Sequence, residues 1–313
     1  MGKLALVFPG QGAQYVGMGK DIYENYDKAK EVFEKGQKAL GMDINKLMFE
    51  GPEESLSLTE NTQPAILIHS IAILEVLKEK ANIEPKAFAG LSLGEYSALV
   101  ASGSFEFEDA VKFVRKRGKI MQEAVPEGTG SMAAILGLDR DILDEVIKEC
   151  SVYGVIQAAN YNCPGQIVIS GELKPLEKAV ELCKEKGAKR AVILNVSGPF
   201  HSSLLDGAGE KLKSELEAVN LGAVTYPVVS NVTGDYAEKE DIKELLVRQV
   251  SSSVMWEDSI GRLIDDGFDT FVEIGPGKTL SSFIKKISKK KNAKVSISNI
   301  DKAEDMEKFL SQE

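Results

Sequence analysis

Short apolar runs that alternate with helix-length segments are the feature of this chain that most restricts its fold. Leu4–Phe8 and Ala87–Leu91 are apolar runs of five residues, and both lead into glycine-containing segments. Pro64–Lys80 is apolar nearly all round, which predicts a buried helix. Strands and helices that alternate along a chain favour an α/β fold built on a parallel sheet. We therefore predict that class, with further helices at Leu93–Ala101 and Phe107–Ala124.

Between residues 125 and 198 the pattern changes to two consecutive strand–helix–strand units. The predicted elements are Ser131–Leu138, Asp141–Cys150, Val155–Asn160, Gln166–Ser170, Pro175–Lys186 and Arg190–Val196. Two such units in succession predict an inserted ferredoxin-like βαββαβ subdomain. Strands at Val228–Asn231 and Thr270–Ile274 then resume the first pattern. The predicted division is a discontinuous α/β domain of 1–124 and 199–313 around a subdomain of 125–198.

Composition argues against several classes of function. The chain has 38 Lys and Arg residues and 48 Asp and Glu residues. The resulting net charge of -10 disfavours binding to nucleic-acid phosphates. The most apolar stretch, Ala65–Leu74, has ten residues and is too short to cross a membrane. The three cysteines lack close metal-ligand spacing and indicate reduced thiols. We expect a cytoplasmic protein without metal or bound cofactor, and without a nucleic-acid or membrane partner.

A G-x-S-x-G sequence at Gly90–Gly94 supplies a candidate nucleophile, Ser92. The apolar run before it and the helical pattern after it are the context that a nucleophile elbow requires. At a helix N-terminus, backbone N–H groups would stabilise developing negative charge near Ser92. The alternative is a Gly-Ser turn that only caps a helix.

A serine hydroxyl needs a neighbouring base to attack at neutral pH, and the chain has two histidines. His69 lies within an apolar helical pattern, which indicates a core residue with a satisfied ring nitrogen. His201 follows the predicted strand Arg190–Val196, where a loop can bring it to the sheet edge. His201 is therefore the candidate base, and an ordinary surface-loop histidine is the alternative.

The loop after the first strand, Gly10–Tyr15, is a candidate wall of an oxyanion hole. A dinucleotide-binding loop is excluded because Tyr15 stands where the third glycine would be. In serine acyl transfer, one N–H donor comes from the residue after the nucleophile and another from a neighbouring strand–helix loop. Leu93 and Gln11 occupy those two places.

One arginine of the helix predicted at Phe107–Ala124 lies on its apolar face. Arg117 falls in register with Ala110, Val114 and Met121, at helical spacings. A buried cation requires an anionic partner, because an unpaired buried charge is costly. That partner is either a carboxylate of the protein or a substrate carboxylate held by both arms of the guanidinium.

Taken together, these segments resemble the malonyl-CoA:acyl carrier protein transacylases of fatty acid synthesis. The resemblance covers nearly the whole chain in order. Its motifs are Phe8–Gln14, Leu91–Ala98, Arg117–Gly118, Met121–Gln122, Gly198–Ser202, Gln249 and Glu273–Gly277. It implies an α/β-hydrolase-like domain with an inserted ferredoxin-like subdomain.

The resemblance also implies roles for individual residues. Ser92 would hold the acyl group and His201 would be the base, oriented by the backbone carbonyl of Gln249 instead of an aspartate. Arg117 would bind the free malonyl carboxylate, and Met121 would belong to the same substrate site. Phe200, also assigned to substrate binding, resembles the malonyl-selective form of the family. Gln11 and Leu93 would supply the oxyanion N–H groups.

One position departs from the family pattern. Leu91 stands where the family commonly has histidine, which alters the polarity beside the elbow. The expected reaction is transfer of malonyl from malonyl-CoA to the phosphopantetheine thiol of acyl carrier protein, through a malonyl-serine ester. The alternatives are an acyltransferase of polyketide synthesis, a serine thioesterase or hydrolase, and a non-catalytic module that docks carrier proteins.

Overall fold

The computed structural model describes residues 2–126, 128–196 and 198–312, which form nine β-strands and fourteen α-helices in two units. The strands are β1 (Lys3–Phe8), β2 (Ala87–Gly90), β3 (Gly130–Leu136), β4 (Ile156–Cys163), β5 (Gln166–Glu172), β6 (Arg190–Ile193), β7 (Val228–Val229), β8 (Phe268–Ile274) and β9 (Ser296–Ile300). The helices are α1 (Lys20–Asn25), α2 (Asp27–Leu40), α3 (Ile44–Glu50), α4 (Glu53–Leu56), α5 (Thr59–Lys80), α6 (Leu93–Ala101), α7 (Phe107–Glu123), α8 (Arg140–Cys150), α9 (Leu173–Glu185), α10 (Asp206–Glu217), α11 (Ile242–Gln249), α12 (Trp256–Asp265), α13 (Thr279–Lys290) and α14 (Ala303–Leu310).

The first unit comprises Met1–Lys119, Val219–Ser230 and Arg262–Glu313, and it contains a parallel sheet. Its five strands have the order β7-β2-β1-β8-β9. The last four residues of β1 are fully buried, which is why this central strand is a continuous apolar run in the sequence. Because Phe8 pairs with Gly90, the loops that follow β1 and β2 begin at neighbouring positions.

The second unit comprises Ile120–Ala218 and Asn231–Gly261, and it contains an antiparallel sheet. The strand order is β4-β5-β3-β6. Along the chain the elements run β3-α8-β4-β5-α9-β6, so that two strand–helix–strand units follow each other. Both helices bury an apolar face against the sheet in one cluster, which includes Ile135, Leu143, Val146, Ile169, Leu176 and Ala179.

The predicted α/β class with a parallel sheet is confirmed, and an antiparallel sheet accompanies it. The predicted helix Leu93–Ala101 agrees with α6 at both ends. The helix predicted at Pro64–Lys80 begins earlier, at Thr59, because the N–H groups of Asn61 and Thr62 already donate to the carbonyl of Leu58. The division into domains at 124/125 and 198/199 stays a prediction.

Two further properties concern the membrane and metals. Within the described ranges, no helix is long and apolar enough to cross a bilayer. The same residues contain no group of three or more His, Cys, Asp or Glu side chains arranged to hold a metal ion.

We predict that Gly118→Ala destabilises the protein by about 1–3 kcal/mol, as overpacking typically does. Gly118 lies where α7 meets the first turn of α5, and an added Cβ would overlap the backbone of Thr59 and Glu60. Thermal unfolding measures the loss. Gly207→Ala in α10 is the matched control, because nothing lies within 4 Å of its added Cβ. At this exposed helical position, alanine should stabilise the protein by up to about 1 kcal/mol. A gain in both variants would contradict the packing role of Gly118.

Candidate active site

Ser92 occupies the turn between β2 and α6 in a strained conformation, with φ 52° and ψ −103°. Such values cost a residue with a Cβ on the order of 1–3 kcal/mol and persist only where the surroundings enforce them. Here the Leu91 N–H donates to the Phe8 carbonyl at 3.1 Å, and the Gly94 N–H donates to the Leu91 carbonyl at 2.9 Å. The two bonds hold the turn that places Ser92 at the N-terminus of α6.

Close backbone packing explains the glycines on either side of this turn. A Cβ on Gly90 would overlap the backbone of Gly94, and a Cβ on Gly94 would overlap the carbonyl of Phe8. Helix α6 can therefore lie directly against β1 and β2 only with glycine at both positions. The Ser92 side chain does not cap α6, and its hydroxyl instead contacts Arg117.

Arg117 is buried, with 1% of its surface exposed, and lies on the apolar face of α7 as the spacing predicts. Its Nη2 donates to Ser92 Oγ at 3.2 Å, and its Nη1 donates to Gln63 Oε1 at 2.9 Å. The neighbouring cations Lys116 and Lys119 are exposed. A guanidinium fixed beside a serine hydroxyl is suited to bind an anionic group attached to whatever the serine attacks.

The centroid of the Tyr96 ring lies 5.2 Å from the Arg117 guanidinium carbon, within range of a cation–π contact. Burial lowers the pKa of Arg117, and the nearby Tyr96 and Glu95 act in the opposite direction. Burial also raises the pKa of the Tyr96 hydroxyl to about 12, although Arg117 opposes that shift. The phenol therefore stays neutral at neutral pH, and arginine remains charged even when buried.

The loop after β1 lies against the elbow. A Cβ on Gly10 would overlap the carbonyl oxygen of Leu91, so glycine permits this approach. Gln11 follows in an exposed turn, and its Nε2 donates to Thr59 Oγ1 at 3.2 Å. Leu93 is the first residue of α6 and is fully buried. Both predicted oxyanion residues thus belong to the first unit, as Ser92 does.

His201 is buried, with 4% of its surface exposed, and has a positive φ of 56°. Its Nδ1 lies 2.8 Å from the Gln249 carbonyl, and its backbone N–H donates to the Val250 carbonyl at 3.1 Å. A carbonyl oxygen can only accept, so Nδ1 has the proton in the neutral ring and Nε2 has the lone pair. Both partners lie at the C-terminal end of α11, where a positive imidazolium is favoured.

The structure brings together Ser92 with Arg117 in the first unit, and His201 with Gln249 in the second. Met121 and Phe200 are buried residues of the second unit. Leu91, at the departure from the family pattern, is half-buried, and its Cδ2 faces Gly10.

Sequence reasoning missed Gln63, the residue that accepts from Arg117. Its signal is a run of polar residues, Asn61–Gln63, at the start of an otherwise apolar helix. Polar side chains there are buried, which requires hydrogen-bond partners. Gln63 lies one turn after Thr59, the partner of Gln11, so this end of α5 contacts two predicted site residues.

His69 is a core residue, as predicted. It is fully buried, and its Nε2 donates to the Asp301 carbonyl at 2.9 Å. Burial lowers its pKa, although the Asp301 carboxylate opposes the shift. The ring is therefore neutral at neutral pH, and its contact with Asp301 is a hydrogen bond and not an ion pair.

The Glu273–Gly277 motif has a structural function. The buried Glu273 carboxylate accepts from the N–H groups of Leu280 at 3.0 Å and Ser281 at 2.7 Å, which caps the N-terminus of α13. Burial raises the pKa of Glu273, and the bonds from Ser281 and Leu280 counteract that rise.

Comparison with known proteins relates this chain to acyl transferases. The model of the acyl transferase domain family matches residues 5–310. The chain is 53% identical over 292 residues to the malonyl CoA-acyl carrier protein transacylase of Bacillus subtilis strain 168, covering 93% of this chain and 92% of that protein. It is 48% identical to the protein of the same name from Staphylococcus aureus strain MRSA252, over 98% of both chains.

Solved structures of malonyl transacylases are also similar to this chain. The malonyl CoA-acyl carrier protein transacylase of Clostridium perfringens has a TM-score of 0.95 and 50% identity, covering 99% of this chain and 96% of that chain. A malonyl-transacylase solved in complex with its type II PKS acyl-carrier protein has a TM-score of 0.95 and 40% identity, covering 99% of this chain and all of that chain.

We predict that His69 makes folding sensitive to acid. Its pKa is lowered in the folded protein, so below about pH 6.5 the unfolded chain binds a proton that the folded chain does not. Stability is then lost as pH falls, with a slope of up to about 1.4 kcal/mol per pH unit from this group. His69→Gln is a neutral replacement with an amide donor. In this variant, the unfolding free energy should fall less steeply with decreasing pH, by up to that amount. Denaturant unfolding of both proteins between pH 7 and 5 measures the difference, and equal slopes would contradict the prediction.

Proposed function

This chain belongs to the family of malonyl CoA-acyl carrier protein transacylases, and from that premise we propose that it transfers the malonyl group of malonyl-CoA to the phosphopantetheine thiol of acyl carrier protein. It is an acyltransferase that supplies fatty acid synthesis, and its partners are malonyl-CoA and the carrier protein.

The observation that supports this function most directly is the contact between Arg117 and Ser92. A guanidinium nitrogen of the buried Arg117 lies 3.2 Å from the hydroxyl of the half-buried Ser92. Many acyl thioesters are uncharged at the acyl end and would gain nothing from a cation there. Malonyl has a free carboxylate two bonds from its thioester carbonyl, which matches a cation adjacent to the nucleophile.

Transfer proceeds in two half-reactions. Ser92 Oγ attacks the thioester carbonyl of malonyl-CoA while its proton passes to Nε2 of His201. The new C–O bond forms, the C–S bond breaks, and the proton passes to the leaving sulfur of CoA. The thiol of the carrier protein then gives its proton to His201 and attacks the ester, and Ser92 leaves with that proton. Malonyl ends as a thioester of the carrier protein, and no redox step occurs.

The remaining site residues take supporting roles in this proposal. Gln249 orients His201 through its carbonyl, and the Nδ1 contact at 2.8 Å supports that assignment. The backbone N–H groups of Gln11 and Leu93 stabilise the oxyanion of each tetrahedral intermediate. Met121 and Phe200 contact the malonyl group, and their burial is consistent with an enclosed substrate site.

We propose the finer fold assignment on the same basis. The strand–turn–helix elbow supports an α/β-hydrolase-like domain of 1–124 and 199–313, and the β3-α8-β4-β5-α9-β6 order supports a ferredoxin-like subdomain of 125–198. A cytoplasmic location is supported by the three cysteines, which are buried thiols.

Two other functions would use the same proposed catalytic residues. A carrier protein of polyketide synthesis is an alternative acceptor, because one similar structure is a malonyl-transacylase bound to such a carrier. A serine thioesterase would use the same elbow but would release malonate to water.

Ser92→Ala should abolish formation of the malonyl adduct without loss of fold. Intact-protein mass spectrometry after mixing with malonyl-CoA measures the adduct. Ser214→Ala, on α10, is the control and should be malonylated like the wild type. In the wild type the adduct should persist until a thiol acceptor is added. Full labelling of the Ser92 variant would refute the nucleophile, and rapid loss of the wild-type adduct to water would favour the thioesterase.

Arg117→Ala should reduce kcat/KM for malonyl-CoA by tens- to thousands-fold, as expected for loss of about 2–5 kcal/mol from a buried charge pair. The acetyl group of acetyl-CoA has no free carboxylate, so its kcat/KM should stay unchanged or rise. The Lys substitution should restore activity only in part, because an ammonium keeps the charge but lacks the planar fork.

The measurement is the malonyl-to-acetyl ratio of kcat/KM. Arg115→Ala is the matched control, since it removes the same side chain from the same helix at a half-exposed position and should preserve the ratio. If Arg117→Ala lowers kcat/KM equally for both substrates, Arg117 is a structural residue. The main support for malonyl selectivity is then lost.

A further inference from the structure

One side chain of the antiparallel sheet contacts the backbone of His201 and of the loop that follows it. Gln157 lies in β4, and its Nε2 donates to the His201 carbonyl at 3.3 Å. Its Oε1 accepts from the Ser203 N–H at 3.0 Å. The same Nε2 also lies 3.4 Å from the Ser251 carbonyl, in the segment that follows α11. A single amide thus joins the loop of His201 to the end of that helix.

His201 needs such support because of its backbone. Its φ of 56° is unfavourable for a residue with a Cβ, and a loop without restraint would relax toward negative φ. A change in φ at His201 would rotate the ring away from the Gln249 carbonyl. Gln157 contacts the carbonyl of His201 and the N–H of Ser203, the second residue after it. These two hydrogen bonds restrain the turn that contains the strained residue.

Strand β4 is a rigid support for this amide. It is an edge strand of its sheet, and the chain after α11 pairs with it: the Val254 N–H donates to the Ala159 carbonyl at 2.8 Å, and the Tyr161 N–H donates to the Val254 carbonyl at 3.0 Å. The carbonyls of Gln249 and Val250, which hold the ring and the N–H of His201, belong to the segment fixed in this way. All of these residues lie in the second unit.

We infer that Gln157 is a positioning residue for the base, which holds His201 in the conformation that keeps Nδ1 on the Gln249 carbonyl and leaves Nε2 to accept the serine proton. This inference rests on the proposed function for the assignment of His201 as base. Its consequence is kinetic. Gln157 acts on the base, so its loss should lower the rate of acylation and leave the affinity for malonyl-CoA nearly unchanged.

The test uses two substitutions and one control. Gln157→Leu removes both donors and the acceptor at similar size. Gln157→Glu keeps an acceptor for the Ser203 N–H but turns a carboxylate oxygen toward two carbonyls, and it provides a polar variant should the Leu variant unfold. Ser253→Ala is the matched control, because Ser253 Oγ joins the same two segments through the Ala158 carbonyl without touching the loop of His201.

Two measurements are made on each full-length variant. Rapid-quench mass spectrometry of Ser92 malonylation gives the maximal acylation rate and the half-saturating concentration of malonyl-CoA. We expect the rate to fall ten- to a hundred-fold in both Gln157 variants, with half-saturation within about twofold of wild type. The control should stay within about twofold in both quantities, allowing for the loss of one neutral hydrogen bond.

Nitrogen NMR of the histidine rings is the second measurement, and the chain has only two histidines. The wild type should show His201 as one tautomer protonated at Nδ1, and the Gln157 variants should show a tautomer mixture. An unchanged His201 spectrum would overturn the inference, whatever happens to the rate. A changed spectrum with a wild-type rate would support positioning by Gln157 and instead refute His201 as the base of the proposed function.

Discussion

Direct packing of α6 against β1 and β2 is the constraint on which the rest of the site depends. No side chain fits between the backbones at Gly90 and Gly94, so the chain must turn sharply at Ser92. That turn gives Ser92 its positive φ and places the N-terminus of α6 beside the loop of Gly10. The positions of the proposed nucleophile, the helix end and the predicted oxyanion loop therefore follow from one close contact between main chains.

Burial of Arg117 sets the electrostatic character of this region. A guanidinium away from water requires polar partners, and Gln63, Ser92 and the ring of Tyr96 surround it. None of these three is a carboxylate, and the nearby Glu95 also acts on the pKa of Arg117. Gly118 contributes by letting α7 approach the backbone at the start of α5, where Gln63 lies. A buried cation in such surroundings is suited to attract an anionic group.

Backbone strain is concentrated at few positions. Among the described residues, three non-glycine residues have positive φ: Ser92, His201 and Asn292. Asparagine and histidine adopt this conformation more readily than serine, but it is uncommon for all three. Ser92 is restrained by backbone hydrogen bonds of its own turn, and His201 by the end of α11 together with the Gln157 amide. The two proposed catalytic residues thus depend on different supports.

The sequence by itself determined the features that are local. Periodicity predicted the α/β class and the limits of α6, the G-x-S-x-G spacing predicted the elbow, and helical register placed Arg117 on a buried face. Only the tertiary structure decided the contacts between distant segments. Gln63 meets Arg117 across 54 residues, and Gln157 meets His201 across 44. A polar side chain in a buried helix or strand does not reveal its partner in sequence, because that partner is selected by packing between elements and not by spacing along the chain.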